Sequence, residues 1–117
     1  MIWNVFIDGD NVPIQRFINC IQPNVYAITG CSVTPLVFCQ SNQIFKYQSK
    51  LDFDVIFRCC KTQNKNATDA RIIFETGKAI NNNERVVIVS NDNIFKEIES
   101  DDIIVVQFNP IKQPGMS

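Results

Sequence analysis

The sequence predicts a single α/β domain of three layers, a mainly parallel five-stranded sheet between two layers of helices. Two observations predict it. Apolar runs at residues 2–7, 36–39, 55–57, 86–89 and 103–108 alternate with stretches of helical periodicity. Short connections close such a βαβ series into a parallel sheet with right-handed crossovers. The first and fourth runs also end in acid: Phe6-Ile7 leads into Asp8-Gly9-Asp10-Asn11, and Ile88-Val89 into Ser90-Asn91-Asp92. Open α/β folds bind ligands at the carboxyl ends of their strands, so the same pattern predicts a place for a site.

Each element has its own warrant. The first strand is almost continuously apolar, as expected of a strand covered on both faces. Pro13 then stands at a helix start, and Ile14, Phe17, Ile18 and Ile21 recur at the spacing of one helical face. Leu36-Val37-Phe38-Cys39 is the second strand. Residues 42–50 form a helix with Ile44 and Tyr47 inward, and Val55-Ile56-Phe57 is the third strand. The helix from about Ala67 to Ile80 has Asn66 as N-cap and Asp69 three positions on, in the manner of a capping box. Its apolar face is read as Ala70, Ile73, Phe74 and Gly77, and Asn81-Asn82-Asn83 ends it. A short helix at 92–99 turns Phe95 and Ile98 inward before the last strand. The first, fourth and fifth strands are the most apolar, and the third, flanked by Asp54 and Arg58, reads as an edge. The strand order is therefore 3-2-1-4-5, with Asp8 and Asp92 on either side of the switch point. Residues 1–108 make the domain and 109–117 a loose tail.

Composition narrows the class. A hydrophobic fraction of 45% and a charged fraction of 20% suit an ordinary globular domain of 117 residues. No stretch approaches the ~20 apolar residues of a membrane span, and no basic region precedes an apolar core at the start, so no signal peptide is expected. Five cysteines, no histidine and no C-x-x-C spacing argue against structural zinc. They point to reduced thiols and a cytoplasmic setting. A formal charge of −1 gives no basic footprint, so nucleic-acid contact must come from a local patch.

Each acid also has a bland reading. Asp8 to Asn11 is turn chemistry, and Asp69 alone is a helix cap. The conjunction is more specific. Asp69 lies on the same helical side as Ile72, Ile73 and Thr76, and Asp92 starts its helix in a similar way. Inward carboxylates at two helix starts, with Asp8 and Asp10 after the first strand, repel unless a cation sits among them. Carboxylates without histidine suit Mg²⁺ or Mn²⁺. Lys65, Arg71, Arg16 and Lys61 are the nearby basic residues, and most of the nine Phe fall at core spacing.

Three segments together resemble the NYN-type branch of the PIN-like nuclease superfamily. They are Phe6-Ile7-Asp8-Gly9-Asp10-Asn11-Val12-Pro13, Lys65-Asn66-Ala67-Thr68-Asp69 through Gly77, and Val87-Ile88-Val89-Ser90-Asn91-Asp92-Asn93-Ile94-Phe95. The resemblance implies a metal-dependent ribonuclease fold with Asp8, Asp69 and Asp92 as the acidic core and Asn11 and Ser90 as adjoining polar residues. On this reading Asp8 and Asp92 ligate Mg²⁺ or Mn²⁺, Asp69 completes the site and Asp10 is a fourth acid. Lys65, Arg71 and Arg16 hold the phosphates of an RNA, most readily single-stranded. Many relatives place a further acid shortly after the Asp92 position, where this chain has Ile94 and then Lys96. That departure keeps a second expectation open, a module of the same fold that binds nucleic acid or protein without cleaving. A homodimer is a further open partnership. A phosphotransfer receiver domain fits worse, because Cys59-Cys60 stand where its acceptor aspartate belongs. A haloacid-dehalogenase-type phosphatase lacks its late acidic pair, since Asp101-Asp102 precede a strand.

Overall fold

The computed structural model describes residues 2–10, 22–39, 56–61, 64 and 66–107. The expected helices at 13–21 and 42–50, the residues Asn11, Arg16 and Lys65, and the expected tail at 109–117 lie outside them. Five strands form the sheet: β1 (Trp3–Asp8), β2 (Leu36–Cys39), β3 (Ile56–Cys59), β4 (Arg85–Val89) and β5 (Ile103–Val106). Their order is β3-β2-β1-β4-β5 and every pairing is parallel, as the sequence predicts.

The period of two along each strand sorts the side chains into two layers. Phe6 of β1, Phe38 of β2 and Val86 and Ile88 of β4 face one way. There they pack with Ile72 and Ala79 of helix α2 (Ala67–Asn81) and with Phe95. Phe6 and Phe38 meet edge to face at 5.3 Å. Val5, Ile7, Val37, Val87 and Val89 face the other way and are equally buried. Helix α1 (Gln22–Thr29) buries Val25 on that side, beside a small pocket whose wall includes Val5. Helices thus cover both faces, and the central strands are apolar throughout for that reason.

Four details differ from the sequence reading. Helix α1 is unexpected, since the sequence reading placed no element at residues 22–29. In a first helical turn Pro23 gives up no hydrogen bond, and among the described side chains of the helix only Val25 is buried, so no periodicity announces it. The inner face of α2 is Thr68, Ile72, Thr76 and Ala79, in place of the expected stripe; Phe74 and Gly77 are exposed and Ile73 is half-buried. Two buried threonines concealed this face from a count of apolar residues. Asn66 makes no side-chain cap, and its N–H donates to Asn64 Oδ1 at 3.0 Å, so the capping box does not form. Finally β5 is half-buried along its length, as an edge strand is, despite its apolar composition.

At the amino ends of the strands Arg85 stacks over Trp3 at 4.4 Å and pairs with Asp102 at 3.4 Å. This fixes the end of the sheet opposite the acids.

Candidate functional site

Asp8 is the last residue of β1, in phase with Phe6, so its carboxyl faces the α2 layer. Ser90 follows β4 in phase with Val86 and Ile88 and faces the same layer. The parallel register sets Ile7 beside Val89, which brings the next residues of both strands together. The Ser90 hydroxyl donates to Asp8 Oδ2 at 2.8 Å and accepts the Asp92 N–H at 3.0 Å. Both Asp8 and Ser90 are buried.

Gly9 carries the chain out of the strand. Its N–H donates to the Phe38 carbonyl at 2.8 Å, and a Cβ there would meet Val37 Cγ1 at 2.8 Å. Such close approach of β1 to β2 requires glycine, a stronger demand than the turn composition implied. It delivers Asp10 beside Thr68, whose hydroxyl donates to Asp10 Oδ2. The Thr68 hydroxyl also lies 3.4 Å from Cys60 Sγ, past the end of β3. Thr68 and Cys60 are site-forming residues that the sequence reading did not select. The one signal for Thr68 was its place beside Asp69 on the helical turn that starts α2.

Asp69 stands on the first turn of α2, and Asp92 is the N-cap of the 3-10 helix Asn93–Ile98, accepting the Ile94 N–H at 3.1 Å. The carboxyls act on one another. Burial is the main reason the Asp8 pKa rises from 3.8 to about 6; Asp69 and Asp10 push it up, while the Ser90 hydrogen bond pulls it down. Burial also leads the rise of Asp69 from 3.8 to about 6. Asp92 adds to that rise by its charge and by a carboxyl–carboxyl hydrogen bond, and Asp10 by its charge. Among the described residues Asp8, Asp69 and Asp92 have no ion-pair partner.

Among the described residues no three acidic or thiol side chains converge at metal-binding distance. The four aspartates share an electrostatic neighbourhood without forming a closed cage.

The remaining sequence-selected residues divide. Ser90 is fully buried behind Asp8, so it holds a carboxyl in place and is not exposed to touch a substrate. Arg71 pairs with Glu75 at 3.8 Å and lies with Lys61 along a groove of about 360 Å³ beside α2. Ile94 is 47% exposed, which excludes a core-filling role for it. Cys31 and Cys60 are free thiols. Among the described residues no helix is long and apolar enough to cross a membrane.

The family model for the NYN domain matches residues 3–100, which takes in β1, α2, β4 and all four aspartates. Searches of curated proteins and of solved structures found no match. The matched span covers most of the chain, and the chain belongs to the NYN domain family of the PIN-like nuclease superfamily, whose members typically bind RNA and generally use divalent metals.

Proposed function

We propose that this chain is a metal-dependent ribonuclease that hydrolyses phosphodiester bonds of single-stranded RNA. One observation carries the reading: carboxyls from three separate segments share one end of the sheet, and two of them, Asp8 and Asp69, have pKa values raised to about 6 with no salt-bridge partner among the described residues. That arrangement costs stability unless a cation is bound, and so it is retained for a use other than folding.

The donor set fits a hard divalent ion. Carboxylate oxygens are what Mg²⁺ and Mn²⁺ prefer, and Mg²⁺ commonly takes only one or two protein carboxylates while keeping several waters. A loose group of aspartates suits that habit better than a cage would. Asp8 and Asp92 are the proposed direct ligands, with Asp69 completing the site and Asp10 as the fourth acid. When bound, the ion supplies charge stabilisation at the scissile phosphate and lowers the pKa of water. Ser90 keeps the Asp8 carboxyl aimed and its pKa from rising further, and Thr68 orients Asp10. Arg71 contacts the phosphate backbone without reading sequence, together with Lys65, Arg16 and Asn11 from outside the described residues. The free thiols support a reducing, cytoplasmic setting.

The test is cleavage of a labelled single-stranded RNA in Mn²⁺ against EDTA, with Asp8→Asn as control. Metal-dependent cleavage lost in Asp8→Asn is the expected result. Ile94, where many relatives have an acid, and the lack of a three-ligand cluster among the described residues favour a second reading, a non-cleaving module that binds nucleic acid or protein. RNA binding without cleavage at any metal concentration would establish it.

A further inference from the structure

Phe74 departs from the other phenylalanines whose burial is described. The described Phe6, Phe38 and Phe95 are buried in the core, whereas Phe74 is 57% exposed on the outer side of α2. A single exposed apolar residue is ordinary. Its surroundings are not. The Arg71 guanidinium lies 5.7 Å and the Lys78 ammonium 5.6 Å from the ring centroid. Beside the ring runs the groove of about 360 Å³, whose walls include Cys60, Lys61, Ala67, Ala70 and Arg71. The Cys60 wall touches Thr68, and Thr68 holds Asp10, so the groove adjoins the acidic end of the sheet.

The geometry points to Phe74 as a stacking platform for one base of single-stranded RNA, with Lys61 and Arg71 on the adjoining phosphates; this rests on the ribonuclease reading above. An exposed ring bordered by cations is the combination that single-strand binders use, because every base offers a π-face and every linkage a negative charge. Glu75 holds Arg71 at 3.8 Å and Lys78 at 3.7 Å. Both contacts are long and solvent-facing, and such pairs yield easily to a phosphate. A strand lying in the groove stacks one base on Phe74 and runs past Cys60 toward Asp10, which Thr68 holds.

Binding is read by the anisotropy of a short fluorescein-labelled oligouridylate, in Ca²⁺ in place of Mn²⁺, on the full chain. Phe74→Leu is expected to weaken binding about 10-fold, the size of one base–aromatic stack, whereas Phe74→Tyr stays within roughly twofold. An oligonucleotide of the same length with abasic sugars should bind both variants equally, since it has nothing to stack. Wild-type protein that cleaves RNA in Mn²⁺ while Phe74→Leu binds the oligouridylate undiminished overturns the platform and leaves the ribonuclease standing. Wild-type protein that neither binds nor cleaves overturns both. Equal weakening of the abasic strand by Phe74→Leu also overturns the platform, because the loss is then not one of stacking.

Discussion

Ser90 donates to Asp8 across the β1–β4 pair at 2.8 Å, and this hydrogen bond is the larger of two that oppose burial in setting the Asp8 pKa, the other coming from the Asp10 backbone. Ser90→Ala should therefore raise the Asp8 pKa above its value of about 6. The acidic limb of the pH–rate profile is expected to move to higher pH, with a stability loss of about 1–3 kcal/mol for an unsatisfied buried acceptor. Rates across pH and a denaturant titration at neutral pH check both. A variant that is merely less stable, with its pH profile unmoved, would show that Ser90 acts only in packing.

A second prediction concerns pH and metal together. Asp8 and Asp69 have folded pKa values of about 6 against an ordinary 3.8, so the native state holds these protons more tightly than the unfolded chain. Their contribution to stability is full below about 4 and is lost as pH rises through about 6. The metal-free melting temperature should fall across that window. Mn²⁺ should restore it at pH 7.5, by up to about 2.7 kcal/mol at a hundredfold excess over Kd. The gain should shrink at pH 5, where protons occupy the same carboxyls. A metal effect of equal size at both pH values would count against binding at these aspartates.

The Asp69 carboxyl is turned toward Asp92, and with no capping box at Asn66 its removal sacrifices no cap. Asp69→Asn is expected to hold or raise metal-free stability, since a like-charge contact disappears, while cleavage falls by at least about 10-fold if one site interaction worth roughly 1.4 kcal/mol is lost. Thermal melts and cleavage rates on the same preparation separate these effects. Lower stability with full activity would return Asp69 to the capping role.

Gly9 gives a structural prediction. A Cβ at this position would stand 2.8 Å from Val37 Cγ1, so Gly9→Ala must push β1 from β2 or twist the loop that carries Asp10. The expected loss is about 1–3 kcal/mol, the range for overpacking, accompanied by weaker metal stabilisation. A variant as stable as the wild type would show that the loop gives way freely.

The fold was legible where one physical signal dominated. Unbroken apolar runs marked the central strands, and the order β3-β2-β1-β4-β5 followed from which runs were most apolar and where the acids fell. Helix α1 was not legible, because a short helix with one buried valine has no period to detect. Nor was the inner face of α2, since Thr68 and Thr76 are polar by type and buried by position. The aspartates stood out by position, after strands and at a helix start, and Ser90 by the family resemblance, but Thr68 and the aiming roles of both hydroxyls did not. Ser90 and Thr68 take their roles from cross-strand register and from contact between segments far apart in sequence. The sequence distance from Asp10 to Thr68 is 58 residues, beyond any local pattern.

Ile94 supplies the last prediction, at the position where many relatives carry an acid. Its side chain is 47% exposed, and its N–H is bonded to Asp92 Oδ1, so it sits at the rim of the acidic group and outside the core. Ile94→Asp therefore buries no charge, and the change in stability should stay within about 0.5 kcal/mol, as for surface substitutions. Added negative charge near Asp92 should strengthen attraction for a divalent ion and lower the Mn²⁺ concentration needed for half-maximal cleavage. It should also deepen the metal-free instability at neutral pH, because one more carboxylate joins a group that already repels itself. Mn²⁺ titrations followed by melting temperature and by RNA cleavage check the two effects side by side. A well-folded Ile94→Asp protein with unaltered Mn²⁺ dependence in both would show that position 94 lies beyond reach of the ion, and that the acid found in relatives serves another purpose there.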